Sequence, residues 1–290
     1  MLRRLQILLG LALFAPLALH PADVGAQGRL PVAASILPLA DFTRQVGDER
    51  IRLETLIPPG ASPHTYEPTP AQLKFLSRAR VLVLNGVGLE FWADKVIAAV
   101  DNPNLIVVRT AKGLKILAGD ADEPGGNPHV WLSPREAIHQ VEMIRDALAR
   151  ADPAGAAAYR ANAGRYVAAL RALDAEIRAA VATFTQRKFI AFHAAWAYFA
   201  RDYGLEQAAV IERTPGREPS PAEMAGIIRT ARAVGVKAIF AEPQFPATAA
   251  RVIAEESGAS VLLLDPLGKP SETYLELMRA NLAQISKALR

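Results

Sequence analysis

The chain contains no cysteine. That excludes disulfides, thiolate metal ligands, cysteine nucleophiles and lipid attachment through an N-terminal Cys. It leaves the redox compartment open, because a chain without thiols suits either. Aromatic residues are few, at 7% of 290 positions, and no run of basic residues occurs. The excess of 33 Lys and Arg over 29 Asp and Glu is scattered and amounts to +4, which is not the clustered footprint of a nucleic-acid surface. No Gly-x-x-x-x-Gly-Lys-Ser/Thr loop, His-Glu-x-x-His pair or Gly-x-Ser-x-Gly elbow is present. Beyond the N-terminus no apolar run reaches the roughly 20 residues of a membrane span without charges.

What is present begins with export. Arg3 and Arg4 precede an apolar run from Leu5 to Leu19, and Val24-Gly25-Ala26 fits a small-x-small cleavage site. This reads as a secretory signal over residues 1–26, too short in its apolar part to anchor the chain. Its removal takes Arg3, Arg4 and Asp23, so the net charge falls by one.

The apolar fraction of 51% supplies ample core. Short apolar runs alternate with helix-period stretches: strands are expected near 30–36, 52–57, 81–84 and 105–108, then near 189–192, 208–211, 238–241 and 261–264. Helices are expected near 38–46, 70–77, 90–100, 134–149, 221–234, 247–257 and 271–289. This alternation predicts an α/β fold of parallel sheets flanked by helices. Between the two sets lies an Ala-rich stretch with Tyr159, Tyr166, Leu170, Leu173 and Ile177 at helical spacing. The expected organisation is a first lobe over 27–154, one long linking helix over 155–185 and a second lobe over 186–290.

Four histidines remain after the signal. His64 lies in a Pro-rich loop after the second strand, His129 in Gly-Gly-Asn-Pro-His-Val-Trp, and His193 directly after a strand. Asp265 likewise follows a strand, in Leu-Leu-Leu-Asp-Pro-Leu-Gly. Open α/β sheets bind ligands outside the carboxyl ends of their strands. Three neutral imidazoles and a carboxylate complete a tetrahedral zinc shell, with two ligands from each half. Each residue has a plainer reading: an Asp before Pro at a strand end serves as a turn or cap, and His139 is a solvated helix residue. Glu67 and Glu242 are the candidate bases, with structural roles in their own loop and strand end favoured. Gly86-Val-Gly88 begins like a dinucleotide fingerprint, but Phe91 stands at the third glycine position. Trp131, Trp196, Tyr198 and Phe199 read as packing residues.

At these loops the chain resembles the metal-binding substrate-binding proteins of ABC importers for zinc and manganese, the TroA-like and ZnuA-like group. The carriers are Gly60-Ala-Ser-Pro-His64-Thr-Tyr-Glu-Pro, Asn85-Gly-Val-Gly-Leu-Glu-Phe-Trp92, Asn127-Pro-His129-Val-Trp131, Phe192-His193-Ala-Ala-Trp-Ala-Tyr-Phe199 and Asp265-Pro-Leu-Gly268. The resemblance implies a two-lobed periplasmic binding fold, a rigid linking helix and one metal ion in the cleft, held by His64, His129, His193 and Asp265. In manganese-type members the third ligand is a glutamate; His193 at that position shifts the expected cargo to Zn2+, with Mn2+ the alternative. The chain departs from many zinc members in lacking a long His-rich loop before the second ligand, having only Asp120, Asp122 and Glu123 there. It is expected to be a monomeric, non-enzymatic carrier, free in the periplasm, that delivers its ion to an inner-membrane ABC permease. The alternatives are a manganese or iron carrier, a metal-dependent adhesin and a secreted zinc hydrolase.

Overall fold

A computed structural model describes residues 28–119, 125–214 and 216–290. The expected signal segment and the acidic residues Asp120, Asp122 and Glu123 lie outside the described residues.

The first lobe is built on β1 (Leu30–Ala34), β2 (Ile51–Thr55), β3 (Val81–Leu84) and β4 (Ile106–Arg109). They form a parallel sheet in the order β2-β1-β3-β4. The second lobe repeats the pattern with β5 (Lys188–Ala191), β6 (Glu206–Val210), β7 (Ala238–Ala241) and β8 (Ser260–Leu263), in the order β6-β5-β7-β8. Central β3 and β7 are buried along their whole length, as strands covered by helices on both faces must be. The edge strands β2 and β6 are more open and carry polar residues.

The helices are α1 (Leu37–Gly47), α2 (Pro70–Leu76), α3 (Ala93–Val100), α4 (Pro134–Ala151), α5 (Ala156–Ala182), α6 (Ala197–Tyr203), α7 (Pro221–Val234), α8 (Thr248–Ser257) and α9 (Tyr274–Leu289). Their starts are written locally. Thr69 with Gln72, Ser220 with Glu223 and Thr273 with Glu276 form reciprocal capping boxes at α2, α7 and α9. Pro70, Pro134 and Pro221 occupy first helical positions, where a missing N–H costs nothing. α3 begins three residues later than the spacing suggests, because Glu90 turns inward to accept backbone amides.

The long helix α5 has 27 residues, about 40 Å at 1.5 Å per residue. It buries Tyr159, Ala163, Tyr166, Val167, Leu170, Leu173, Ile177 and Val181 along one face. That face packs against α1 and α4 of the first lobe and against α6 and α9 of the second. One continuous apolar cluster consequently runs from Val32 and Val83 through Leu170 to Phe240 and Leu289. The lobes share a core along this spine. Among the described residues no helix is long and apolar enough to cross a membrane.

Candidate metal centre

Both sheets turn their strand carboxyl ends toward the seam between the lobes. His64 comes from the loop after β2, His129 from the segment entering α4, and His193 from two residues beyond β5. Glu242 follows β7 directly, and Asp265 lies two residues beyond β8.

The His64 loop is pinned by one side chain. Gln72 accepts from the Tyr66 hydroxyl (2.8 Å) and the Thr69 amide (2.9 Å), while its own Nε2 donates to the Leu56 carbonyl. The His129 loop is fixed from several sides. Gly126 has φ +94°, and a Cβ there would meet Ile116 at 2.5 Å and the Leu117 carbonyl at 2.7 Å, so only glycine fits. Asn127 next to it donates from Nδ2 to the Ala194 carbonyl of the second lobe (2.7 Å). That orients its Oδ1 to accept the His129 backbone N–H (3.0 Å) and ring Nδ1–H (2.9 Å). Behind it, Asn85 Nδ2 donates to the Pro128 carbonyl (2.8 Å). Asn85 is itself held by Glu90, whose carboxylate accepts the Ser35 hydroxyl and the Asn85 and Gly86 amides. Burial pushes the Glu90 carboxyl up, and these donors oppose the shift. The Gly86-Val-Gly88 motif therefore orders this loop.

The three imidazoles converge. Their ligand-capable nitrogens all lie within 4.8 Å of one another. His129 Nε2 is 3.1 Å from His64 Nε2 and 3.0 Å from His193 Nε2. Two nitrogens bound to one tetrahedral zinc at 2.0–2.1 Å sit about 3.3–3.4 Å apart. His193 Nδ1–H donates to Glu242 Oε1 (2.8 Å). With Nδ1 of His129 and His193 committed as donors, the network assigns bare lone pairs to both facing Nε2 atoms. Lone pairs aimed at each other repel, and a cation between them removes the conflict. Burial, with His193 and His64 adding to it, holds His129 well below the ordinary imidazole range. Burial, and then His193, brings His64 down to about 3. Both rings are thus neutral, the form a metal needs.

Asp265 is not in this group. Among the described residues only the three histidines meet as a metal-sized cluster of His, Asp or Glu. Asp265 Oδ1 accepts the Leu267 and Gly268 amides (3.0 Å each) and Gln244 Nε2 (2.9 Å). An Asp before Pro can close the turn that follows, and here it does. Glu67 is exposed in its loop, and His139 bonds the Lys112 carbonyl on the surface. Glu242, read from sequence as a strand end, instead touches a histidine of the cluster. Residue type and strand-end position, the signals that selected Asp265, apply to Glu242 equally.

A cavity borders the cluster, lined by Ser62, His64, His129, His193, Glu242 and Gln244 among others. The cavity is small. Ser62 Oγ, Glu242 Oε2 and Gln244 Oε1 are buried here with no hydrogen-bond partner. Trp131 Nε1 donates to the Pro266 carbonyl (2.7 Å), closing the far side.

The profile of the family described as zinc-uptake complex component A, periplasmic, matches residues 32–288. The chain belongs to that family. A crystal structure of ZnuA superposes with a TM-score of 0.83 at 38% identity, covering 90% of this chain and 99% of that one. A Mn-bound periplasmic metal binding protein from Candidatus Liberibacter asiaticus superposes with a TM-score of 0.80 at 26% identity, over 89% of this chain and 99% of that one. The zinc-binding lipoprotein AdcA of Streptococcus pneumoniae serotype 4 (strain ATCC BAA-334 / TIGR4) is 30% identical over 281 residues, 90% of this chain but 56% of its own length. The family member described here thus spans little more than half of that relative.

Proposed function

We propose that this chain captures a divalent transition ion, zinc, between its lobes and passes it to an ABC permease in the inner membrane. The observation that carries the reading is the convergence of three Nε2 atoms, two of them stripped of protons by Asn127 and Glu242 on the opposite ring nitrogen. Nitrogen donors suit zinc, a borderline-soft ion, better than manganese, which prefers oxygen. The zinc-binding relative supports this cargo, and the manganese-bound one makes manganese the second reading.

Capture follows from the placement. His64 and His129 come from the first lobe and His193 from the second, so an ion closes the seam as it binds. His129 is 1% exposed and His193 4%, whereas His64 is more open; its Pro-rich loop is the natural way in and out. We read the fourth coordination position as solvent, because Asp265 lies outside the three-histidine cluster and its Oδ1 is taken up in its own turn. The small cavity beside the imidazoles is lined by the cluster's own side chains, with Glu242 and Gln244 among others, which supports carriage over hydrolysis. The chain is read as soluble in the periplasm once the signal over 1–26 is cleaved, and as a monomer.

The test is metal competition on purified, metal-stripped protein, zinc against manganese. Tight 1:1 zinc binding that outcompetes manganese and weakens sharply in His193→Ala, with Asp265→Ala close to wild type, is the expected result. A preference for manganese would overturn the cargo, and no tight binding of either ion would overturn the site.

A further inference from the structure

Glu242 is 2% exposed, and its surroundings differ from those of the buried carboxylates Glu90 and Asp41. Glu90 takes three donors across both oxygens. Asp41 takes the Tyr166 hydroxyl and the Tyr274 amide. Glu242 has His193 Nδ1–H on Oε1 and nothing on Oε2. A buried carboxylate oxygen without a donor costs the metal-free fold free energy, so folding alone gives no reason for a Glu here. The contact it does make is to a histidine of the metal cluster.

We propose that Glu242 is a positioning residue that sets metal affinity and the preference for zinc; this rests on the three-histidine reading above. Three neutral imidazoles leave a divalent ion's charge uncompensated in a buried site. Glu242 brings a negative charge into direct contact with one ligand and fixes that ring with Nε2 bare. A carboxylate behind the ring also makes Nε2 a stronger donor. The stronger Lewis acid gains more from a better nitrogen donor, so zinc profits more than manganese. The unpartnered Oε2 belongs to the same small cavity as Ser62 Oγ and Gln244 Oε1. A water entering with the ion finds polar atoms there that no protein group satisfies.

The experiment compares Glu242→Gln, Glu242→Asp and His193→Ala with wild type, measuring zinc and manganese affinity by competition and apoprotein melting by calorimetry. Glu242→Gln keeps an acceptor for Nδ1–H but removes the charge. It is expected to bind one zinc about 10- to 100-fold more weakly, to lose less manganese affinity, and to melt without metal no lower than wild type. Glu242→Asp is expected to recover part of the zinc affinity. Unchanged zinc affinity in Glu242→Gln would overturn the proposal. So would an apoprotein of that variant that melts well below wild type, or an equal loss for both metals, since these mark a structural role. If instead His193→Ala binds zinc as wild type does, the three-histidine reading itself fails.

Discussion

An imidazole ligates through one nitrogen while the other carries the proton, and an acceptor on that N–H fixes which is which. Asn127 does this for His129 and Glu242 for His193, so ring orientation is settled before an ion arrives. Burial keeps the His64 and His129 rings uncharged. His64, brought down to about 3 by burial first and His193 second, makes the sign of the pH dependence definite. An unfolded imidazole titrates near 6.5. Between there and about 3 the unfolded chain binds a proton the folded chain refuses, so stability present above about 6.5 is lost as the pH falls toward about 3. The metal-free protein is expected to melt at progressively lower temperature through that window, and His64→Ala to melt with a shallower dependence. An identical slope in the variant would contradict the assignment. At this scale the sequence displays the three histidines, because each sits at a strand end or in a loop that follows one. Asp265 shows the limit. A strand-end aspartate before proline can face a metal or fold back onto Leu267 and Gly268, and only tertiary placement decides between them. Glu242 is the converse, since its partner His193 is 49 residues away.

Among the elements, α5 shapes the molecule most. Its apolar face was legible from the spacing of Tyr159, Tyr166, Leu170, Leu173 and Ile177, and its polar face from the Arg residues between them. The strands too were legible, since runs such as 81–84 and 238–241 are continuous and end at turn residues. Helix α6 was not. Ala197–Tyr203 is a short helix of aromatic and alanine residues without a period long enough to read, and it exists because Tyr198 and Phe199 are wholly buried. Tyr198 also bonds across the seam, donating to the Asn127 carbonyl (2.7 Å) and accepting the Leu117 amide (3.0 Å). Leu170, fully buried at the middle of α5, should lower stability by about 2–5 kcal/mol when replaced by Ala. Because the core is continuous through it, denaturant unfolding of that variant is expected to remain one transition. Two resolved transitions would show that the lobes hold together less firmly than their shared core implies.

The whole molecule is two sheets aimed at one seam and braced along one helix. Beyond α5, the seam is crossed by Asn127 to Ala194, Trp131 to Pro266, and Tyr274, whose hydroxyl donates to the Trp131 carbonyl (2.7 Å). Wide opening would break these bonds and expose shared core, so loading and release should proceed through local movement around the His64 loop. Crystals with and without zinc are expected to show the same angle between the lobes, and a large rotation would contradict that. The pairing of halves could be anticipated from the repeated strand–helix pattern. The shared core could not, because it depends on which faces of α1, α4, α6 and α9 meet α5.

The central claim is our proposal that three imidazoles hold the ion and that Asp265, which lies outside their cluster, does not. X-ray absorption at the zinc edge, on protein loaded with one zinc, counts imidazoles directly through their outer-ring scattering. Wild type and Asp265→Ala are expected to give the same spectrum, with three imidazole nitrogens at about 2.0–2.1 Å and one oxygen. Fewer than three imidazoles in wild type, or a zinc affinity in Asp265→Ala far below that of wild type, would contradict it.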